Sequence, residues 1–581
     1  MNRLFTRSTT AKYQNLDKIW DFCTDPDNRG TEEKWYENFP KDCRKMSVPS
    51  CWNTTLGLFR YEGVVWYRTE FEINSEDAYI NFEAVAHECD VYIDGKHTGY
   101  HYGSLVEFGF EAFGIGKGRH EIVVRVDNTL DMTTTIPHSC SDWYNYGGIC
   151  RSVSVIEINA CSIRDMVIRY DLDVEKKSAK LNIATKILTR KAITDTLTIA
   201  VDGKCVYEKE ITVDGEAEHI AEGIELDHIR LWGIYEPNLY YVTVNFGGED
   251  LTDRTGLRTI EARGKDLYLN GEKITIVGIN RHEIHPDWGF AMPFELVKKD
   301  MDIIRDANAN TVRTAHYPHS KKTYDYIDEL GLLCWEEIPV WGNNPAWAES
   351  VKDERFIDRA VTMLQEMLKR DKNHPSIVFW GLYNEIDTSL PQTLALTERL
   401  AKVVRDYDTS RLISYATCSI TIPGPHDICA GAVDMVSFNY YLAWLPSIKT
   451  ESFDELVTRI RGHVNEVAGR EMPIMMSEFG CEGLKGCYSL EPSRWSENYQ
   501  AKVLETAMEA YCASGKMCGG CIWQFCNVPS QPNFEHMRPG GVNNKGLLDE
   551  FRRPKSSYEA VKQLFKKYNP KADRETRIEL Y

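Results

Sequence analysis

The pattern of hydrophobic and polar residues changes near residue 260. Before that point, apolar and polar residues alternate in short runs typical of antiparallel strands, such as VVWYRTEFEI at 64–73. Asp94-Gly95 and Asp202-Gly203 stand between strand-forming residues and predict hairpin turns. The first 160 residues are therefore predicted to be β structure, and about seven short strands between 161 and 260 favour an immunoglobulin-like β-sandwich.

After residue 260, nearly continuous apolar runs alternate with amphipathic helical segments. Two helical faces are formed by Phe294, Val297, Met301 and Ile304, and by Phe356, Ala360, Met363 and Met367. Continuous apolar runs are typical of parallel strands covered by helices, and eight strand–helix units predict a (β/α)8 barrel. The eight runs are KITIVGIN, TVRTAH, LLCWEEIP, SIVFWGLYNE, LISYAT, MVSFNYY, PIMMSEFG and GGCIWQF.

Polar residues follow these apolar runs, at the strand ends where barrel enzymes carry their active sites. Glu385 ends the fourth predicted strand and Glu478 ends the seventh. Because the carboxyl ends of the strands share one face, the two carboxylates are predicted to meet across the barrel mouth. The other polar residues at strand ends are Asn280, Arg281, His282, Glu283, His316, Glu337, Tyr441 and Gln524.

A facing pair of carboxylates is what glycoside hydrolysis requires. Retaining enzymes hold two carboxyl groups about 5 Å apart, one as an ionised nucleophile and one as the proton donor. The nucleophile needs hydrogen-bond donors, whereas the acid needs burial or a neighbouring negative charge to stay protonated near pH 7. The alternative interpretation makes Glu385 and Glu478 members of a structural salt-bridge network.

Composition and charge indicate a globular protein and argue against nucleic-acid-binding and membrane-spanning proteins. The chain has 581 residues, 43% hydrophobic and 27% charged, which indicates a globular multidomain protein. A net charge of −19 without a basic run argues against a nucleic-acid partner, and no apolar run is long enough for a membrane span. The 17 scattered cysteines and the lack of an export signal predict a cytoplasmic protein, which we expect to be a homo-oligomer. With no metal-site spacing, P-loop or dinucleotide motif, neither a metal nor another cofactor is expected.

Four segments in a consistent order resemble glycoside hydrolase family 2: GINRHE (278–283), RTAHYP (313–318), NHPSIVFWGLYNE (373–385) and SEFG (477–480). The resemblance covers essentially the whole chain. It implies a multidomain β plus α/β protein with a jelly-roll sugar-binding-like domain at 1–160, an immunoglobulin-like sandwich at 161–260 and a catalytic TIM barrel at 261–581.

The same resemblance implies roles for individual residues. Glu385 would be the acid/base and Glu478 the nucleophile. Asn384 would hydrogen-bond the sugar 2-hydroxyl, and Tyr441 would donate to the nucleophile. The other implied substrate contacts are His282, His316, Trp444 and Trp523, the last as an apolar floor under the sugar ring.

The segment HMRPGGVNNKGLLDE after the eighth strand indicates the substrate class. Asn543 and Lys545 resemble the Asn-x-Lys pair by which β-glucuronidases hold the C6 carboxylate, and Arg538 flanks them. A carboxylate taken from water needs a cation and a donor in fixed positions. Asp142 resembles an aspartate that reaches from the first domain to a sugar hydroxyl. Leu445, after Trp444, replaces a tyrosine that often touches the carboxylate, and PVWGNNPAWAES is too short for a long active-site loop.

The resulting hypothesis is a retaining exo-β-glucuronidase that converts β-D-glucuronides to glucuronate and an aglycone. A β-galacturonidase or a dual β-hexuronidase with the same mechanism remains open. A β-galactosidase or β-mannosidase has no use for Asn543 and Lys545 as a pair, and a non-catalytic carbohydrate-binding protein has no use for both carboxylates. Lys545 as an ordinary solvated lysine is the alternative that would remove the uronic-acid preference.

Overall fold

The computed structural model of the protein describes residues 3–342, 344, 346–421, 426–441 and 452–572. Two β domains precede a closed barrel of eight parallel strands, so the predicted fold class is confirmed. The boundaries near residues 160 and 260 stay a prediction.

The first domain is a sandwich of antiparallel sheets. Its strands are β1 (Tyr13–Asn15), β2 (Ile19–Asp25), β3 (Arg44–Ser47), β4 (Val64–Ile73), β5 (Asp77–Phe82), β6 (Val85–Ala86), β7 (Glu88–Ile93), β8 (Lys96–Tyr102), β9 (Phe108–Ala112), β10 (Gly118–Asp127), β11 (Gly148–Ile149) and β12 (Val153–Ile158). The larger sheet has the order β3-β2-β4-β10-β7-β8 and the smaller β1-β12-β5-β9. Asp94 and Gly95 both have positive φ, as the central residues of the predicted hairpin turn require.

The second domain has seven strands in two sheets, as predicted. They are β13 (Cys161–Asp173), β14 (Ser178–Thr189), β15 (Ile193–Val201), β16 (Lys204–Val213), β17 (Glu216–Leu226), β18 (Tyr240–Phe246) and β19 (Glu249–Thr255). The sheets have the orders β13-β14-β17 and β16-β15-β18-β19. Asp202 and Gly203 form the predicted turn between β15 and β16 with positive φ values.

The barrel closes in chain order, and all eight predicted strands are present. They are β23 (Ile276–Asn280), β24 (Thr311–Thr314), β25 (Leu333–Glu337), β26 (Ile377–Asn384), β27 (Leu412–Thr417), β28 (Met435–Asn439), β29 (Ile474–Phe479) and β30 (Gly519–Ile522). A small sheet of β20 (Ile260–Arg263), β21 (Asp266–Leu269) and β22 (Glu272–Ile274) precedes it. Leu267 and Leu269 pack against Ile276 and Leu333, which begin their strands, so this sheet covers the amino-terminal end of the barrel.

Helices surround the barrel. They are α1 (Phe294–Asp306), α2 (Lys321–Leu330), α3 (Trp347–Ser350), α4 (Glu354–Asp371), α5 (Pro391–Tyr407), α6 (Phe453–Ala468), α7 (Glu497–Ser514) and α8 (Ser556–Tyr568). The predicted face of α4 is fully buried, whereas in α1 Phe294 is only partly buried. Ser452 and Glu455 form a capping box that fixes the start of α6. Within the described residues, no helix combines the length and hydropathy needed to cross a lipid bilayer.

Two further elements complete the secondary structure. A short ribbon of β31 (Val528–Pro529) and β32 (Val542–Asn543) follows the eighth barrel strand. Short 3-10 helices lie at Trp52–Thr54, Ser419–Thr421, Ala430–Ala432, Pro532–Met537 and Pro539–Gly541.

A buried ion pair joins the first domain to the barrel mouth. Arg151 donates to Glu283 at 2.8 Å and to the carbonyl oxygen of Pro318 at 3.1 Å. Glu283 and Pro318 lie just beyond the carboxyl ends of the first and second barrel strands. The loop that precedes Arg151, which carries Asp142 and Trp143, is thereby held over the same end of the barrel.

The segment from Arg3 to Thr10 lies between the second domain and the barrel. The guanidinium of Arg3 donates to both oxygens of Asp325 in α2 at 2.7–2.9 Å. Thr252 N–H of β19 donates to the Arg7 carbonyl oxygen at 2.6 Å. This segment therefore links the two later domains to each other.

The carboxylate of Asp325 belongs to the one group of carboxylate and imidazole side chains, among the residues described, that is compact enough to hold a metal ion. Its other members are Asp328 and His374. Arg3 pairs with Asp325, and Arg254 lies 3.7 Å from the same carboxylate. Guanidinium groups thus supply the positive charge that this cluster needs.

Candidate active site

Glu385 and Glu478 lie at the carboxyl ends of β26 and β29, as predicted. Glu385 has a φ of 54°, a left-handed conformation that costs a residue with a side chain on the order of 1 kcal/mol. Its N–H donates to the carbonyl oxygen of Ala416 at 2.9 Å, which anchors the turn. A Cβ at Gly480 would lie 2.4 Å from the Trp523 carbonyl oxygen, so the SEFG segment requires glycine here.

The buried carboxylate of Glu478 accepts a hydrogen bond at each oxygen. Arg313 Nη1 donates to Oε1 at 2.8 Å, and the Tyr441 hydroxyl donates to Oε2 at 2.5 Å. Burial and the charge of Glu478 raise the pKa of Tyr441 well above its ordinary value, so the phenol stays protonated and remains a donor. Each oxygen of Glu478 therefore has its own hydrogen-bond donor, and one of the two donors is a cation.

Arg313 of β24 is the buried centre of this hydrogen-bond network. It binds Glu337 through Nε at 3.0 Å and Nη2 at 2.8 Å. Nη2 also donates to Asn384 Oδ1 at 2.8 Å, and Nη1 donates to Asn280 Oδ1 at 3.1 Å. One guanidinium therefore joins polar groups from four other barrel strands, and Glu478 is one of these groups.

Glu385 has a different electrostatic environment from Glu478. Burial, together with the charge of Glu478, raises the pKa of Glu385 to about 7. Its Oε1 accepts a hydrogen bond from Asn439 Nδ2 at 2.9 Å. A carboxyl group with a pKa near 7 can donate a proton at neutral pH, which is the property a general acid needs.

His316 lies beside Glu478. Its Nδ1 is 2.7 Å from Glu337 Oε1 and 3.4 Å from Arg313 Nη2. Burial lowers the pKa of His316 to about 3, so the ring is neutral. Its Nε2 lies 3.8 Å from Glu478 Oε1. The ring stacks on Trp523 with centroids 5.0 Å apart.

Aromatic rings close one side of the site. Trp143 of the first domain lies 5.5 Å from both His282 and His316, measured between ring centroids. Trp523 meets His282 edge-on at 5.3 Å. Burial lowers the pKa of His282 well below its ordinary value, so this ring is also neutral. The wall can contact a sugar ring without adding charge.

A second cluster combines two cations with two carboxylates. Asp142 Oδ2 accepts from Arg538 Nη2 at 2.8 Å and from Asn543 Nδ2 at 3.0 Å. Glu482 accepts from Arg538 and, at 3.5 Å, from Lys545 Nζ. Burial lowers the pKa of Lys545, and Arg538 lowers it further. Lys545 Nζ also lies 5.3 Å from the Tyr441 ring centroid, so this cluster adjoins the nucleophile.

Four side chains around the catalytic pair have buried polar atoms that lack a partner among the described residues. The atoms are Asp142 Oδ1, His282 Nε2, Asn384 Nδ2 and both polar atoms of the Gln524 amide. Buried polar groups are rarely left without hydrogen bonds unless a ligand supplies them. Two carboxylates, a neutral aromatic wall and these unsatisfied groups together form a pocket suited to a polyhydroxylated ring.

Comparison with known families agrees with this geometry. The family model described as glycosyl hydrolases family 2, TIM barrel domain, matches residues 260–569. Residues 13–159 match the sugar binding domain of the same family, and residues 161–258 match a third family 2 model. The chain belongs to glycosyl hydrolase family 2. It is therefore a glycoside hydrolase.

Relatives of this family 2 enzyme include proteins that act on different sugars. A β-glucuronidase of Paenibacillus borealis is 25% identical over 95% of this chain and 97% of its own. A β-galacturonidase of Eisenbergiella tayi bound to galacturonate has a TM-score of 0.88 at 28% identity, covering 98% of this chain and 99% of its own. A Ruminococcus gnavus β-glucuronidase in complex with D-glucaro 1,5-lactone has a TM-score of 0.85 at 25% identity, with 97% and 99% coverage.

The structure of the family 2 enzyme brings nearly all the residues proposed from the sequence into one site. Trp444 and the neighbouring Leu445 lie outside the described residues. Three residues that hold the others, namely Arg313, Asn439 and Glu482, were not predicted from the sequence. Arg313 was part of the RTAHYP segment, but its sequence context gave it no specific role. Asn439 and Glu482 follow or end apolar strands, which was the only signal that could have indicated them.

Proposed function

We propose that the protein is a retaining exo-β-hexuronidase that hydrolyses β-D-glucuronides to glucuronate and an aglycone. The observation that carries this proposal is the convergence of Arg538, Asn543 and Lys545 beside the catalytic pair. Arg538 and Lys545 place two cations in the site of a protein of net charge −19, and they favour an anionic substrate when Asp142, one of their two carboxylate partners, is protonated. Cytoplasmic location and homo-oligomeric assembly stay predictions.

In the first chemical step, Glu478 attacks the anomeric carbon and Glu385 gives its proton to the glycosidic oxygen. The bond between carbon and that oxygen breaks, and the aglycone leaves as a neutral alcohol or phenol. Asn384 Nδ2, which has no protein partner among the described residues, is available to donate to the sugar 2-hydroxyl. His316 Nε2 lies 3.8 Å from Glu478 Oε1, beside the attacking carboxylate.

In the second step, water cleaves the ester between the sugar and Glu478. The ester carries no charge, so the negative charge that raised the pKa of Glu385 disappears. Glu385, which gave up its proton in the first step, therefore stays ionised and accepts the proton of the attacking water. Glucuronate leaves with its anomeric configuration retained, and both carboxyl groups return to their starting protonation states.

The C6 carboxylate would bind among groups that already hold carboxylates. Arg538 and Lys545 pair with Asp142 and Glu482 when the pocket holds no substrate. The C6 carboxylate is therefore best accommodated when Asp142 takes up a proton. Burial raises the pKa of Asp142, which favours its protonated form. Asp142 Oδ1 remains available to a sugar hydroxyl.

A β-galacturonide is the second candidate substrate. Glucuronate and galacturonate differ only in configuration at C4, so the carboxylate contacts serve both. The similarity to the β-galacturonidase of Eisenbergiella tayi favours this candidate. Asp142 is the side chain we assign to a hydroxyl beside C6, and its free oxygen can accept from either epimer.

The deciding experiment measures kcat/KM on p-nitrophenyl β-D-glucuronide, galacturonide, galactoside and mannoside. We expect one or both uronides to exceed the neutral sugars by at least about 100-fold, since a buried charge contact contributes several kcal/mol. A neutral glycoside as the preferred substrate would refute the hexuronidase proposal. NMR of the first-formed product tests retention, and an inverted anomer would exclude the nucleophilic role of Glu478.

A further inference from the structure

Asn439, the last residue of β28, contacts both strands that carry the catalytic carboxylates. It is 3% exposed and pairs in register with Glu478 of β29. Its Nδ2 donates to Glu385 Oε1 at 2.9 Å and to Asn384 Oδ1 at 3.1 Å. The side-chain amide thus reaches from β28, the neighbour of the Glu478 strand, to Asn384 and Glu385 at the end of β26.

The orientation of this amide follows from its partners. The Ser477 hydroxyl donates to Asn439 Oδ1 at 2.6 Å. The reversed amide would place an oxygen against Glu385 Oε1 and Asn384 Oδ1, both of which are acceptors. Asn384 Oδ1 is identified as the oxygen because Arg313 donates to it at 2.8 Å. Nδ2 therefore faces Glu385, and Asn384 Nδ2 is left free for a ligand.

We propose that Asn439 is a positioning residue that holds Glu385 and Asn384 in a fixed relation to the nucleophile strand and sets the proton affinity of Glu385. The inference rests on the proposed role of Glu385 as the acid/base. Ser477, directly before Glu478 in the chain, orients the amide and completes the connection between the two carboxylates.

Burial, three charged groups and this amide determine whether Glu385 holds its proton. Glu478 of β29 and Asp142 of the first domain favour the protonated form, whereas Arg313 of β24 favours the ionised form. Asn439 is the neutral donor in direct contact, and a hydrogen bond to a carboxylate stabilises its charge. Without this donor, Glu385 holds its proton to higher pH and is a weaker acid toward the leaving group.

The test compares the pH profile of kcat/KM for Asn439→Leu with that of the unaltered enzyme, on whichever p-nitrophenyl glycoside the enzyme prefers. Leucine has the same number and branching of side-chain heavy atoms as asparagine and has no donor. We expect the loss of activity at high pH to move upward by about one pH unit. We also expect kcat to fall by about tenfold or more on an alkyl glycoside, and by less on the p-nitrophenyl glycoside, because the latter needs little protonation.

Two comparisons separate positioning from simple structural damage. Asn373→Leu removes another buried amide, one that bonds Met166 and Asp253 far from the site, so it should lower stability without moving the pH profile. Ser477→Ala removes only the group that orients Asn439, and it should move the profile in the same direction by a smaller amount. If Asn439→Leu does not fold, Ser477→Ala decides the question.

A pH profile that stays in place in both Asn439→Leu and Ser477→Ala, with activity uniformly reduced, would overturn the inference. An upward shift as large in Asn373→Leu as in Asn439→Leu would do the same. If the unaltered enzyme hydrolyses none of the glycosides, the proposed function fails instead, and this result is distinct from an active enzyme with an unmoved profile.

Discussion

Asp142 of the first domain accepts a hydrogen bond from Arg538 of the barrel at 2.8 Å, across 396 residues of chain. The first domain is therefore a part of the active site, in addition to any role in stability. The loop that carries Asp142 and Trp143 reaches the barrel mouth because Arg151 is held by Glu283.

Asp142→Ala tests this relationship. The change removes one partner of Arg538 and the acceptor that we assign to a sugar hydroxyl, so kcat/KM on the preferred hexuronide should fall by about 30-fold or more. Thermal denaturation should stay close to that of the unaltered enzyme because the Asp142 side chain is 21% exposed and burial already disfavours its charged form. Full activity would remove Asp142 from the substrate contacts.

The roles of the two carboxylates are tested by separate substitutions. Glu478→Gln should keep the fold and lose nearly all turnover, because no covalent intermediate can form. Glu385→Ala should lose least on substrates with good leaving groups, and azide should partly restore its turnover by attacking the intermediate without a general base. An azide product of inverted configuration would contradict this scheme.

The pH dependence follows from the pKa of Glu385, about 7. Glu385 acts in its protonated form, so kcat/KM should be high below this pKa and fall as the pH rises through about 7. In Glu385→Ala with azide, this decline should be absent, since the group responsible has been removed. Measuring both profiles over the neutral range checks the assignment, and an identical decline in the variant would assign it to another residue.

Lys545→Ala should reduce activity on hexuronides selectively. Removing a buried charged partner of a carboxylate costs about 2–5 kcal/mol, or roughly 30- to several thousand-fold in kcat/KM. A galactoside has no C6 charge, so its slow hydrolysis should change little. The measured quantity is the ratio of kcat/KM for p-nitrophenyl glucuronide to that for the galactoside. An equal loss on both sugars would make Lys545 a structural residue.

Arg3→Ala should lower the melting temperature of the whole protein. Its removal leaves Asp325 with less positive charge in a buried position, and breaking a buried ion pair typically costs about 3–5 kcal/mol. Arg29→Ala is the matched control, because Arg29 is 62% exposed and pairs only with exposed carboxylates. Equal melting temperatures for the two variants would show that the segment from Arg3 to Thr10 contributes nothing to stability.

The architecture and the positions of Glu385 and Glu478 could be predicted because both depend on the local pattern of apolar and polar residues. The run LISYAT forms β27 with the bounds expected from its apolar residues, and Glu385 and Glu478 could be found because they end such runs. The contacts of Arg313 with Glu478 and of Glu482 with Lys545 join residues 165 and 63 positions apart. These contacts depend on the register and side-chain directions of a closed barrel, which hydrophobic periodicity does not specify.

The placement of Arg3 has a consequence for how the chain is made. Arg3 leaves the ribosome early, but its partner Asp325 is synthesised 322 residues later. At about 5–20 residues per second, the segment from Arg3 to Thr10 waits on the order of 15–60 seconds for that partner. During translation, the second domain can therefore fold and bind the Arg7 carbonyl oxygen of this segment before Asp325 is made, and closure of the surface between that domain and the barrel is a late event in biosynthesis.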